Sequence, residues 1–196
     1  MEKNKREVIS QPPFASSSVL KKANAFLANF SIFESEHGID LLLNFDLKSK
    51  TYYVVCHLDG STLVKNCDTN AVLDADDEEY KLNRDLSLDK YAYRLMEADA
   101  INGRSFEDIV IEYDLSYRKE RPLKVYGGQH RIEAITNAYE THGVSVIHGC
   151  RIYFDLTRDQ KVEIATVNNT SIAVPSDLLD RMQEDQLGSE LRDWCQ

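Results

Sequence analysis

Apolar positions along the chain recur at two spacings, and each predicts a kind of element. Helical spacing follows Ser16-Ser17-Ser18, which offer a cap for a helix running to about Phe30. It recurs at Leu88, Tyr91, Ala92, Leu95 and Met96, with Ser87 or Asp89 as a cap and Asn102-Gly103 as a stop. Short β-favouring runs predict strands at Ile39 to Phe45 and Tyr52 to His57, with a hairpin turn at Lys48-Ser49-Lys50. Leu63 and Val64, after Asp59-Gly60, add a third strand to a small antiparallel sheet. Further on, Ile109-Val110-Ile111 and Leu123 to Tyr126 read as strands. Gly127-Gly128 ends the second of them abruptly, and Ile132, Ile135, Ala138 and Tyr139 then form a helical stripe closed near Gly143. Val144 to Leu156 predicts a strand or a pair, Asp159 to Val167 a helix, and Ser176 to Gln186 another helix capped by Ser176 after Pro175.

This alternation predicts a mixed α/β (α+β) fold. The expected division is a flexible tail over 1–15, ended by Pro12-Pro13, a helix and antiparallel strands over 16–80, and a core over 81–187. Residues 188–196, which end on Leu191, Trp194 and Cys195, read as the start of a further C-terminal part.

Composition changes the picture in three places. A hydrophobic share of 42% suffices for a core without disulfide or metal staples. The four cysteines, Cys56, Cys67, Cys150 and Cys195, have neither paired spacing nor the density of a disulfide framework, which predicts reduced thiols and a cytoplasmic protein. Neither a signal peptide nor a membrane-length apolar run is present in this sequence. The formal net charge of −10 excludes a uniformly basic, nucleic-acid-coating surface. Much of that acidity lies in residues 74–79, a predicted solvated loop or helix start. The stretch from Lys81 to Arg131 is close to neutral and leaves room for a local basic face.

Candidate chemistry centres on Tyr126-Gly127-Gly128-Gln129-His130-Arg131. Glycines at a strand end let the backbone turn and an anion approach, and the next helix presents unpaired N–H groups at its positive end. Arg131 adds a planar, permanently charged fork, while Gln129 and His130 add further donors. Read from the residues alone, the same glycines make an ordinary tight connection equally well. His130 is also a candidate general acid or base, since an imidazole titrates near neutrality. No metal-ligand spacing links His37, His57, His142 or His148.

The string Gly128-Gln129-His130-Arg131-Ile132-Glu133-Ala134 resembles the G-Q-H-R-x-x-A core of DGQHR-domain (DndB-like) proteins, and more broadly the G-x-x-R-x-x-A box of the ParB/sulfiredoxin superfamily. Asn83-Arg84 is similar to the N-R dipeptide before the first family helix, and Val167-Asn168-Asn169-Thr170 to the I-N-x-T segment. The resemblance spans about residues 81 to 180. It implies a nucleotide triphosphate site, for CTP or ATP with or without magnesium, at Gly127, Gly128, Gln129, His130, Arg131, Arg84, Asn168 and Thr170.

Departures qualify the expectation. Gly127 stands where the family motif opens with aspartate, and Ser171-Ile172-Ala173 replaces a segment that often carries a cation. Glu107, Asp108, Glu112 and Glu133 are the nearby carboxylates that metal-assisted hydrolysis would draw on. Gln129 occupies the place of the sulfiredoxin cysteine, and a carboxamide forms no thiolate, so that redox chemistry is not expected. The resemblance implies a nucleotide-binding domain of a DNA-associated bacterial or phage system, in DNA modification, restriction or defence regulation. Its rivals are a protein-interaction module with a degenerate pocket, and a subunit of an NTP hydrolase or nuclease. Implied partners are nucleotide, DNA, and a protein or second copy recruited through an exposed strand edge.

Overall fold

A computed structural model describes residues 8–10, 13–70 and 91–169. They form seven strands: β1 (Val8–Ser10), β2 (Leu41–Asp46), β3 (Thr51–Asp59), β4 (Cys67–Asp68), β5 (Ile109–Tyr113), β6 (Leu123–Gly127) and β7 (Ile147–Phe154). Six helices accompany them: α1 (Ser17–Asn29), α2 (Phe33–His37), α3 (Gly60–Asn66), α4 (Tyr91–Ile101), α5 (Gln129–His142) and α6 (Arg158–Asn169). The fold is mixed α/β, with parallel and antiparallel pairs in a single sheet of order β1-β2-β3-β7-β5-β6-β4.

The hairpin β2–β3 forms as the sequence predicts. Asp46 Oδ1 accepts the N–H groups of Lys48 and Ser49, and Lys50 closes the turn at positive φ. That hairpin is not a separate sheet, however. β3 pairs antiparallel with β7 along eight residues, from Tyr52↔Phe154 to Asp59↔Ile147, so the early strands join the core directly. β7 in turn lies parallel to β5, with Ile109↔Cys150 and Val110↔Arg151 in register. Val8–Ser10, in the expected tail, pairs parallel with β2 instead.

Leu63 and Val64 also depart from expectation, lying in α3 rather than in a strand. The Asp59 side chain accepts the Ser61 N–H at the helix start, and fully buried Leu63 anchors the turn. A local cap and one burial site thus outweigh the β preference of two residues. The expected helix before Asn102-Gly103 is α4, and Gly103, at φ +81°, ends it.

The two faces of the sheet differ in chemistry. One carries Leu43, Val54, Cys56, Ile109, Ile111, Val125, Cys150, Ile152 and Phe154, all buried. Against it pack α1 through Val19, Ala23 and Phe26, α3 through Leu63, and α5 through Ile132, Ile135 and Ala138. Phe26 stands within about 6 Å, centroid to centroid, of Phe30, Tyr113 and Phe154. The other face presents Val110, Tyr126 and Tyr153, covered by Ile164 and Ala165 of α6. Among these sit ionisable groups. Buried Glu112 accepts the Tyr126 O–H at 2.5 Å and lies 3.7 Å from Lys124 Nζ and 3.6 Å from Lys161 Nζ. Burial pushes the Lys124 ammonium below its ordinary pKa, with the Glu112 charge opposing that shift. Lys161 belongs to α6, so this cluster holds that helix to β5 and β6.

Candidate functional site

The strand-to-helix turn occurs where the sequence places it. β6 ends at Gly127, Gly128 is the N-cap of α5, and the helix begins at Gln129. The two glycines serve different needs. Gly128 has φ +86°, a conformation that disfavours any side chain. Gly127 has ordinary φ but no room, because a Cβ there would stand 3.0 Å from Asn168 Cβ and 3.3 Å from Val110 Cβ. The missing side chain at Gly127 is what allows the last turn of α6 to close over β6.

Around this turn is a cavity of about 540 Å³, within the range of small-molecule sites. Its polar lining comes from His130, Arg131, Arg151, Asp108 and Asn168, and its apolar lining includes Met96, Val110 and Val167. No side chain caps the α5 N-terminus at Gly128. The first N–H groups of a helix have no intrahelical partner, so the turn supplies donors and the positive end of the helix dipole at the cavity wall.

The anticipated residues take distinct positions. Arg131 lines the cavity and donates from Nη1 to the Asp108 carbonyl at 3.1 Å, which leaves the rest of its fork available. Asp108 makes that contact from positive φ, 57°. The His130 ring centre is 6.1 Å from that of Tyr93, whose hydroxyl is held above its ordinary pKa by burial and then by Glu97 and Glu133. Gln129 is buried, and its Nε2 donates to the Thr69 carbonyl at 2.7 Å. That bond ties α5 to the chain after β4. The side-chain donor anticipated from sequence is thus engaged within the protein.

Asn168 lies inside α6 rather than in a loop after it. Its Nδ2 donates to the Ile164 carbonyl at 2.7 Å, a bond to the preceding helical turn. Arg84 and Thr170, like Ser171, lie outside the described residues. The four carboxylates do not converge. Glu112 is held in the buried lysine cluster, Glu133 accepts the Thr69 hydroxyl at 3.1 Å, and Glu107 packs beside Gly149. Asp108 is the one of the four that lines the cavity. Among the described residues there is no group of three or more metal-ligating side chains.

Arg151 is the charged cavity residue that sequence reasoning missed. It sits at the centre of the sheet, paired with Val55 on one side and Val110 on the other. Its guanidinium stacks 5.1 Å from the Tyr53 ring centre and bonds to the Tyr153 side chain. Burial works against its charge, but the Tyr153 bond, then the charges of Tyr153 and Tyr53 and last that of Asp108, outweigh that cost and raise its pKa above the ordinary value. The available signal was strand alternation. With Cys150, Ile152 and Phe154 directed into the core, the residues between them face the other way.

Among the described residues no helix is long and apolar enough to cross a membrane. Comparison of the chain with protein-family models, with curated proteins and with solved structures finds no match in any of the three.

Proposed function

We propose that the chain binds a nucleotide through its phosphates at the turn Gly127 to Arg131. One observation carries this reading: the uncapped N-terminus of α5 and two arginines, Arg131 and Arg151, line the same cavity of about 540 Å³. Backbone N–H groups at a helix start and planar guanidinium forks are the donors that phosphate oxygens fit best. Met96, Val110 and Val167 give that cavity an apolar side on which a base or sugar can rest.

The motif resemblance supports the finer reading, a ParB/sulfiredoxin-like domain serving a DNA-associated bacterial or phage system. In it, a bound nucleotide touches α5 at its start and α6 at Asn168 and favours one arrangement of the two. A surface recognised by DNA or a protein partner then changes with occupancy. Such a ligand acts only through a difference in its affinity for the two arrangements. Asp108 in the cavity supports a second reading, magnesium-assisted hydrolysis, since it is a carboxylate beside the phosphate-binding turn.

The test is calorimetric titration with CTP, ATP and GTP, each with and without magnesium, against Arg131→Ala. Saturable binding that weakens at least about tenfold in the variant, the worth of one charged hydrogen bond, is the expected result. Absence of binding by all three nucleotides to the unaltered chain defeats the reading. Release of inorganic phosphate that requires magnesium and fails in Asp108→Asn selects the hydrolase reading.

A further inference from the structure

We propose that Arg151 is a second phosphate contact, by which the pocket reads how many phosphates its ligand carries. This inference rests on the nucleotide reading above and concerns what that same cavity prefers. The argument begins with the sheet. Arg151, Val110 and Gly127 lie in one row across adjacent strands, since Val110 pairs with Arg151 on β7 and with Gly127 on β6. Two strand spacings of roughly 4.8 Å put the Arg151 backbone about 10 Å from the glycine turn. Val110, between them, brings no polar atom on its side chain and forms the floor of the cavity.

The donors of the cavity therefore form two separate groups. One is the α5 N-terminus with Arg131, enough to hold a single phosphate. The other is Arg151, beyond Val110, with its guanidinium over the Tyr53 ring of β3. A monophosphate seated on the helix start fills the first group alone. A di- or triphosphate extends across the valine floor and brings its remaining anionic oxygens to the second.

Arg151 is prepared for that contact. The Tyr53 ring beneath its guanidinium and the bond to Tyr153 fix the side chain before any ligand arrives, so little rotamer entropy is lost on binding. The Asp108 charge also favours the Arg151 cation, after the Tyr153 bond and the Tyr153 and Tyr53 hydroxyls. A surface arginine that merely balanced Asp108 would need neither the aromatic support nor a place on the central strand of the sheet.

The test compares inorganic phosphate, pyrophosphate, tripolyphosphate, and nucleoside mono-, di- and triphosphates by calorimetry on the full chain and on Arg151→Gln and Arg151→Lys. Affinity of the unaltered chain is expected to rise with phosphate count. In Arg151→Gln, di- and triphosphate binding falls about tenfold or more while monophosphate binding stays within about twofold. Arg151→Lys, which keeps the charge but not the planar fork, falls between them and controls for a folding defect in the glutamine variant, with circular dichroism on both. Equal weakening of every ligand, or unchanged triphosphate binding in a folded variant, overturns the role of Arg151 while nucleotide binding stands. Failure of the unaltered chain to bind any of the probes overturns both.

Discussion

The two faces of the sheet solve the same burial problem by different means. On the α5 side, Val54, Ile111, Val125 and Ile152 meet Phe26, Leu63 and Ile135, and area removed from water holds the layers together. On the α6 side, Glu112, Lys124, Tyr126, Arg151 and Tyr153 stay in the layer, and α6 is held by charges that must satisfy one another. Apolar packing tolerates a change of shape when volume is kept, whereas a buried ionic cluster fails once one member goes. The difference explains where a binding cavity can form. A face that already carries fixed charges can open to an anion without creating a new unpaired group, and the cavity lies at the edge of that face.

The sharpest way to break the contrast is Glu112→Gln. It removes the carboxylate that Lys124 and Lys161 share and leaves their charges facing each other. A loss of about 3–5 kcal/mol in urea unfolding is expected, the usual cost of stranding one partner of a buried pair. A loss under about 1 kcal/mol would mean that α6 is held instead by Ile164 and Ala165 and by the bonds of Gln160 to the Ser49 and Lys50 carbonyls.

Next in size is a pH effect on the apolar face. His148 is buried there, its Nδ1 accepts the Phe106 N–H at 3.0 Å, and burial lowers its pKa to about 4. Its folded pKa lies below the ordinary 6.5, so the unfolded chain takes up a proton that the folded chain refuses. Stability is therefore full above about pH 6.5 and falls as pH drops toward 4. The loss reaches on the order of 3 kcal/mol. Unfolding midpoints measured across that window for the chain and for His148→Gln should diverge, with the variant flatter. Parallel curves would remove His148 as the cause.

The smallest effect comes from the seam between the faces. Gly127→Ala forces a methyl against Asn168 and Val110 and should cost about 1–3 kcal/mol by overpacking. It should also weaken nucleotide binding, because the last turn of α6 must move. An alanine variant with normal stability and normal binding would show that the close approach of α6 is incidental.

Much of this fold was legible in the sequence because its signals are local. The β2–β3 turn, the stop at Gly103 and the break at Gly127-Gly128 each depend on residues within one turn of the chain. What escaped depends on distance. Nothing local indicates that β3 pairs with β7, which starts 88 residues after β3 ends, or that Val8–Ser10 finds β2. The site divides the same way. Gly128 and Arg131 stood out through their spacing in a short motif. Gln129 reads as a ligand donor in the motif, but its side chain bonds the Thr69 carbonyl, and Arg151 is hidden in a strand whose neighbours are apolar.

The pairing of β3 with β7 also sets an order of events during synthesis. β2 and β3 leave the ribosome long before β7, and at roughly 5–20 residues per second the β7-facing edge of β3 waits on the order of ten seconds for its partner. During that interval Val54, Cys56 and Leu58 lie along an open strand edge, the kind of surface that pairs with other chains. Yield in the cell should therefore depend on how quickly residues 147–154 follow, and slow codons between β3 and β7 should lower it before any change in the finished protein is detectable.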